Sequence, residues 1–427
     1  MIDETKLVDS EDWRLPLVAL IGMGMGRDDL SLRALRWIER ARVLAGGERH
    51  LDFFPDHPGE KIRLKSPLDP VLDHVGEISR EKRTAVLASG DPFFFGIGRR
   101  LAERLGRDRI LAMPNVTTVQ ALFARLGEPW EDVKTISLHG RGDDAASGWL
   151  RELRGGAGLA FFTDAVHTPA WIAGQLLDAG VTGRSLVVAE DLGLPGEKVV
   201  RLSPEEARAM SFSPLNLVAV LPERPGGGGD DSDGSDGPVL GLADEAFQHD
   251  AGMITKLEIR AVALAYLQLA PDLVMWDVGA GSGSVSIEAA RMAPLKGVFA
   301  VEKSPARFHQ LVENIRRFRC FEIRPVNGEA PEALDGLPDP DRVFIGGGGV
   351  GIQEILRVVE SRLRPGGRVV LTAVALDTLE AARSFFQGKP FDFTLSQVQV
   401  SRSVPIGKSA RLEPINPVFV VSAWRRH

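Results

Sequence analysis

The chain carries a single cysteine, Cys320, in 427 residues. No internal disulfide can form, and no cysteine-based zinc site can be assembled. That scarcity fits a reducing compartment, so a cytoplasmic protein without a bound metal is expected. No apolar run reaches the roughly 20 residues that a membrane-spanning helix needs. The N-terminal Met1-Ile2-Asp3-Glu4-Thr5-Lys6 is polar and acidic, unlike a secretory leader. A basic excess is lacking too. The net charge of −7 argues against a generic nucleic-acid binder, yet leaves room for a polyanionic small substrate held by a local basic pocket. No internal repeat is visible.

What is present is two glycine-rich turns, each following an apolar run. The first is Leu17-Val18-Ala19-Leu20-Ile21-Gly22-Met23-Gly24-Met25-Gly26, the second Val274-Met275-Trp276-Asp277-Val278-Gly279-Ala280-Gly281-Ser282-Gly283. Between them lies Pro225-Gly226-Gly227-Gly228-Gly229-Asp230-Asp231-Ser232-Asp233-Gly234-Ser235-Asp236-Gly237-Pro238. A stretch of Pro, Gly, Asp and Ser alone has nothing to bury, and it is expected to tether two domains. The expected division is a first domain over 14–222, a flexible linker over 223–240 and a second domain over 241–427.

Both halves alternate short apolar runs with amphipathic stretches, an α/β pattern. Strands are expected in the first half at Leu17–Ile21, Ala85–Ala88, Ile110–Met113, Val133–Leu138, Leu159–Phe162, Leu186–Glu190 and Leu217–Leu221, with helices at Leu30–Ala41, Val119–Leu126 and Pro169–Asp178. In the second half a helix over Lys256–Leu267 precedes strands at Leu273–Val278, Val298–Glu302, Ile323–Val326, Arg342–Ile345 and Arg368–Ala373. Helices are expected there at Val285–Arg291, Ala306–Arg317, Ile352–Leu363 and Thr378–Phe386. Two final strand-like runs, Phe393–Val400 and Pro417–Ala423, have no long helix between them. That order predicts an open, mostly parallel sheet with an antiparallel edge.

Ligands of such sheets bind at the carboxyl ends of the strands. The turn Gly279–Gly283 lies at such an end and opens a helix, where glycines let backbone approach a ligand and N–H groups are free. Its spacing is GxGxG, with Ser284 where a dinucleotide fingerprint needs a third glycine, which weakens a nicotinamide reading. Glu302 ends the next strand and can accept both hydroxyls of a ribose, although a strand-end carboxylate can equally be a solvated one. Gly346-Gly347-Gly348-Gly349 follows a strand and precedes a helix. It offers either a side-chain-free wall for a flat ligand or a merely flexible loop.

Asp277 to Gly283, then Glu302, then Gly328-Glu329-Ala330-Pro331-Glu332, then Leu363-Arg364-Pro365-Gly366-Gly367-Arg368, resembles the class I S-adenosylmethionine-dependent methyltransferases. Met253-Ile254-Thr255-Lys256 and the segment Pro338-Asp339-Pro340-Asp341-Arg342-Val343-Phe344-Ile345 leading into the four glycines narrow the likeness to the decarboxylating precorrin methyltransferase domains of corrin biosynthesis. The resemblance implies cofactor contacts at Thr255, Gly279, Ala280, Gly281, Ser282, Gly283, Glu302 and Ala330, in a Rossmann-like domain with an antiparallel edge strand.

In the first half, the glycine turn is joined by Ser89-Gly90-Asp91-Pro92-Phe93-Phe94-Phe95-Gly96, Pro114-Asn115-Val116-Thr117-Thr118-Val119-Gln120, Val188-Ala189-Glu190-Asp191-Leu192-Gly193-Leu194-Pro195-Gly196-Glu197 and Leu215-Asn216-Leu217-Val218. This ordered set resembles the tetrapyrrole methylases, class III S-adenosylmethionine methyltransferases with a two-subdomain fold. By that resemblance Met25, Gly90, Asp91, Phe94, Thr117 and Thr118 contact the cofactor. Gly-Asp-Pro is also a good turn sequence, and Thr117 or Thr118 also suits a helix cap. His139 is a further candidate, although a lone histidine is more often structural.

In this order the two resemblances imply a bifunctional enzyme of cobalamin (vitamin B12) biosynthesis, with one S-adenosylmethionine per domain. The first domain would methylate precorrin-6B at C5. The second would methylate C15 and remove carbon dioxide from the ring C acetate, giving precorrin-8. Metal-free and cobalt-containing substrates both remain open. A tandem methyltransferase acting on nucleic acid or protein is disfavoured by the acidic balance. Pro338-Asp339-Pro340-Asp341 is not the Asn/Asp-Pro-Pro-Tyr/Phe motif of amino-group methylation. No general base is identifiable. The polycarboxylate tetrapyrrole calls for cations; Arg402, Lys408 and Arg411, between the last two strands, are candidates, or else an ordinary solvated loop. The resemblance also implies a homo-oligomer.

Overall fold

Strands that read as unbroken apolar runs are buried on both faces, and they set the architecture. In the computed structural model, which describes residues 9–139, 147–223, 240–250, 252–346 and 351–426, the chain forms two compact units. The first comprises Met1–His139, Gly158–Trp171 and Ser185–Leu221; the second comprises Gly140–Ala157, Ile172–Arg184 and Pro222–His427. The expected linker over 223–240 lies, apart from its end residues 223 and 240, outside the described residues.

The first unit holds two five-stranded sheets. One consists of β1 (Val18–Gly22), β2 (Val43–Gly46), β3 (Glu60–Arg63), β4 (Thr84–Ala88) and β5 (Ile110–Met113), all parallel, in the order β3-β2-β4-β1-β5. Every residue of β1, β2 and β4 is buried, as expected of strands covered on both faces. The other contains β6 (Lys134–Ser137), β7 (Leu159–Phe162), β8 (Arg184–Glu190), β9 (Lys198–Leu202) and β10 (Asn216–Pro222) in the order β6-β7-β10-β8-β9, with β7–β10 and β8–β9 antiparallel.

β2, β3 and β9 were not foreseen. β2 is only four residues long, and β3 (Glu-Lys-Ile-Arg) is a polar, mostly exposed edge without alternation. Helix Leu68–Ile78 was hidden by Pro70, which its first turn tolerates, and by Gly76.

The second unit holds a seven-stranded sheet. β11 (Val274–Val278), β12 (Gly297–Glu302), β13 (Ile323–Asn327), β14 (Arg342–Ile345) and β15 (Arg368–Ala373) run parallel. β16 (Phe391–Val398) and β19 (Val418–Arg425) complete the order β13-β12-β11-β14-β15-β19-β16, β19 being antiparallel to both neighbours. The open, mostly parallel sheet with an antiparallel edge is therefore present. The segment between the last two strands is not a plain loop. It forms a two-stranded hairpin of β17 (Ser401–Ile406) and β18 (Ser409–Pro414).

Candidate functional site

In the first unit, β1 and β4 are neighbours, so the loops leaving their carboxyl ends meet. Gly24 and Gly90 form an isolated antiparallel bridge, the Gly90 N–H donating to the Gly24 carbonyl at 3.2 Å. A Cβ added at Gly22 would sit 2.4 Å from the Gly90 carbonyl oxygen, so only glycine permits this backbone-to-backbone approach. Asn115 fastens the third loop, its Nδ2 donating to the Gly22 carbonyl at 3.0 Å.

Met25, Gly90, Asp91, Phe94, Thr117 and Thr118 all line one cavity of about 450 Å³, a volume within the range of small-ligand sites. Two of the local structural readings hold. Asp91 Oδ1 accepts the Phe93 N–H at 2.8 Å and so shapes its own turn. Thr117 caps helix Thr118–Leu126 in a reciprocal capping box with Gln120. A residue can do both, because these loops are formed by the same groups that face the cavity.

Phe94, Phe95 and Phe162 add an aromatic wall, with ring centroids 5.0 to 6.2 Å apart. Phe95 has a φ of 55°, a conformation that costs a non-glycine residue about 1–3 kcal/mol and leaves its ring exposed on the lining. His139 lines the same cavity.

Among the lining residues that sequence reasoning did not single out are Arg49, His50 and Ser89, the last quoted only as part of its motif. Gly46-Gly47 followed by a short helix, Glu48–Asp52, is a third glycine-bearing strand-to-helix turn, and it was the available signal. Burial, reinforced by the charge of Arg49, pushes His50 down to about 4. Arg49 is exposed and has no acidic partner among the described residues.

In the second unit, the Gly279 and Ala280 N–H groups both donate to the Val301 carbonyl at 2.9 Å, folding the turn against β12. Gly283 caps helix Ser284–Met292 at a φ of 82°, and a Cβ there would meet Leu311 Cδ1 at 2.4 Å. Glu302, 3% exposed, accepts the Gly281 N–H at 2.9 Å and the Ser304 N–H at 2.8 Å.

Asp277 Oδ2 accepts the Ser286 N–H at 3.1 Å and its hydroxyl at 2.5 Å. Complete burial pushes this carboxyl up to about 7, outweighing those hydrogen bonds. Asp277 Oδ1 and Ser282 Oγ are buried without a partner among the described residues.

Ala330 follows β13, whose Asn327 is in register with Glu302, and the Gly328 N–H donates to the Glu302 carbonyl at 3.1 Å. Thr255 belongs to a segment fixed by Arg260, whose Nη1 donates to the Thr255 carbonyl at 2.7 Å. The Gly346 N–H donates to the Val278 carbonyl at 3.0 Å, placing it beside the glycine turn. Gly347 and Gly348 lie outside the described residues.

The hairpin cations do not converge. Arg402 pairs with Glu258 at 2.7 Å and Asp244 at 3.1 Å, and Arg411 pairs with Glu413 on its own strand at 3.2 Å. Lys408 occupies the hairpin turn between β17 and β18.

Known proteins carry the same two halves. Residues 17–207 match the family model for tetrapyrrole (corrin/porphyrin) methylases, and residues 245–425 match that for the precorrin methyltransferase domain. Across 410 residues the chain is 34% identical to the precorrin-6Y C(5,15)-methyltransferase [decarboxylating] of Sinorhizobium sp, covering 94% of this chain and 95% of that one. The chain belongs to this methyltransferase family.

Two shorter relatives come from Salmonella typhimurium. The cobalt-precorrin-7 C(5)-methyltransferase is 35% identical over 49% of this chain and 100% of its own length. The cobalt-precorrin-6B C(15)-methyltransferase (decarboxylating) is 37% identical over 43% of this chain and 96% of its own.

Proposed function

We propose that this chain methylates precorrin-6B at C5 and C15 and removes carbon dioxide from its ring C acetate, using S-adenosylmethionine bound once in each unit. The observation that carries the reading is the convergence of Met25, Gly90, Asp91, Phe94, Thr117 and Thr118 on one cavity. A separate turn in the second unit, braced by Glu302, supports a second donor site. The residues fit the donor chemically. Each carboxylate oxygen of Glu302 spends one lone pair on a backbone N–H and keeps another for a ribose hydroxyl.

Bound there, S-adenosylmethionine supplies an activated methyl group. The protein's share is placement. Holding a nucleophilic ring carbon in line with that methyl is worth roughly 7–11 kcal/mol of the barrier, and a dry site favours loss of the acetate carboxyl into the conjugated ring.

C5 is assigned to the first unit and C15 with decarboxylation to the second, supported by the separate C5 and C15 relatives of about half the length. Phe94, Phe95 and Phe162, their rings tilted 52° to 78° to one another, offer the macrocycle an apolar aromatic contact, and Arg49 a partner for one of its carboxylates. In the second unit Arg402, Lys408 and Arg411 stay candidates, with Arg402 requiring release from Glu258 to serve.

The domains are taken as 14–222 and 241–427 with a linker at 223–240. The chain is also read as cytoplasmic and as a homo-oligomer, the second reading supported by the exposed Ile406 and Leu412 on the hairpin. No helix among the described residues is long and apolar enough to cross a membrane.

Mass spectrometry of the product tests the function. Two added methyl groups and one lost carbon dioxide are expected; a product lacking either overturns it. Parallel assays with metal-free and cobalt-containing substrate decide between the two forms of the pathway.

A further inference from the structure

β2 and β4 are neighbouring parallel strands, with Gly46 in register with Leu87. The two loops that leave their carboxyl ends carry His50 and Ser89, and the register brings them together: Ser89 Oγ lies 3.1 Å from His50 Nε2. The two residues differ in exposure. His50 is 8% exposed, while Ser89 is open on the wall of the cavity, directly before Gly90 and Asp91. His50 Nδ1 has no partner among the described residues. A hydroxyl presented to a ligand and backed by a buried imidazole is an arrangement suited to moving a proton.

The burial that pushes His50 down to about 4 keeps the ring neutral at ordinary pH and able to accept. With the ring proton on Nδ1, Nε2 accepts from the Ser89 hydroxyl.

Methylation of an unsaturated ring carbon that bears hydrogen has a second half. The carbon's electron pair forms the new C–C bond while the C–S bond breaks and its pair returns to sulfur. The ring is left cationic. Neutrality and full conjugation return only when the methylated carbon sheds its hydrogen as a proton, so a base must receive it.

Resting on the C5 assignment above, we propose that Ser89 and His50 form the relay for that proton: Ser89 Oγ takes it from the ring carbon and passes its own to His50 Nε2. Ser89 is the catalytic residue and His50 the positioning base behind it. The methylated cationic ring is a strong carbon acid, so a weakly basic imidazole suffices. Substrate carboxylates supply countercharge to the imidazolium beside Arg49.

The test uses the full chain, precorrin-6B, and precorrin-6B deuterated at C5. Ser89→Ala and His50→Ala are expected to slow C5 methylation by roughly a hundredfold while S-adenosylhomocysteine binds both units as before. Added imidazole should restore part of the His50→Ala rate, and deuteration should slow both variants more than the wild type. Rates within about threefold of wild type overturn the proposal. So does a slow variant with neither imidazole rescue nor an isotope effect, which would make the pair a structural support alone. A wild-type chain that adds no methyl at C5 overturns the C5 assignment itself, a distinct result.

Discussion

Replacing Arg260 with methionine should cost the second unit about 3–5 kcal/mol, the usual penalty for stranding one partner of a buried ion pair. The guanidinium is completely buried. Its Nε donates to Glu288 Oε1 at 2.8 Å, its Nη1 to the Thr255 carbonyl at 2.7 Å and more weakly to Asp244, and its Nη2 to the Leu242 carbonyl. The two acids are not equally exposed to the loss. Asp244 keeps Arg402 at 3.1 Å and the Leu257 N–H at 3.0 Å. Glu288, also completely buried, keeps among the described residues only the backbone N–H groups of Gly241 and Leu242. The penalty therefore comes chiefly from one uncompensated carboxylate plus two lost hydrogen bonds to carbonyls.

For a unit of this size, about 3–5 kcal/mol corresponds to a fall in melting temperature of roughly 6–20 °C, read from the second unit's transition in scanning calorimetry. Arg260→Met combined with Glu288→Gln removes the stranded charge while keeping an acceptor for one of the two N–H groups, which now go to different carboxylate oxygens, and should recover about 1 kcal/mol or more. Because the same network fixes Thr255, donor affinity in the second unit should fall while that of the first unit holds. A drop of less than about 3 °C, or a double variant no more stable than the single one, would refute the reasoning.

Gly22→Ala drives a Cβ into the Gly90 carbonyl, and Gly283→Ala combines a φ of 82° with contact on Leu311. Each should weaken S-adenosylhomocysteine binding at least roughly tenfold in its own unit alone, about 1.4 kcal/mol, by calorimetry; loss at both sites from either change would contradict independent turns. Asp277 carries a proton in the folded chain up to about pH 7 that the unfolded chain releases near 3.8. Stability of the second unit should therefore decline as pH rises across that window, by at most about 4 kcal/mol, and level off above it. Asp277→Asn should flatten that slope in denaturant titrations at several pH values. Arg49→Glu should raise the KM for the macrocycle in C5 methylation roughly tenfold without altering S-adenosylhomocysteine affinity; an unchanged KM would remove Arg49 from substrate binding.

Legibility in the sequence followed burial. β14 and β15 were readable to the residue because their apolar runs are covered on both faces and flanked by turn residues. β3 was not, since an exposed polar edge has no pattern to detect, and the hairpin β17–β18, with Pro405 and scattered charge, looked like loop. The glycine turns at the strand ends were legible because glycines and caps there have local causes. The acids that hold Arg402 were not: Glu258 lies 144 positions away, a pairing no local pattern encodes. His50 and Arg49 escaped for a related reason, since a five-residue helix is too short to display a face.

On the proposed function, the two units would meet one recognition problem by different means. In the second, Glu302 is immobilised before any ligand arrives, by N–H groups on both sides of it, so the ordering of an acceptor for ribose is completed during folding and costs little on binding. In the first, Asp91 is the one carboxylate among the described lining residues, and its Oδ1 already serves the Phe93 N–H. Recognition there must rest more on shape, on the close-set glycine backbones and on the aromatic wall. Small displacements of the first unit's loops should then cost more binding than equal displacements in the second, where a charged acceptor tolerates a few tenths of an ångström.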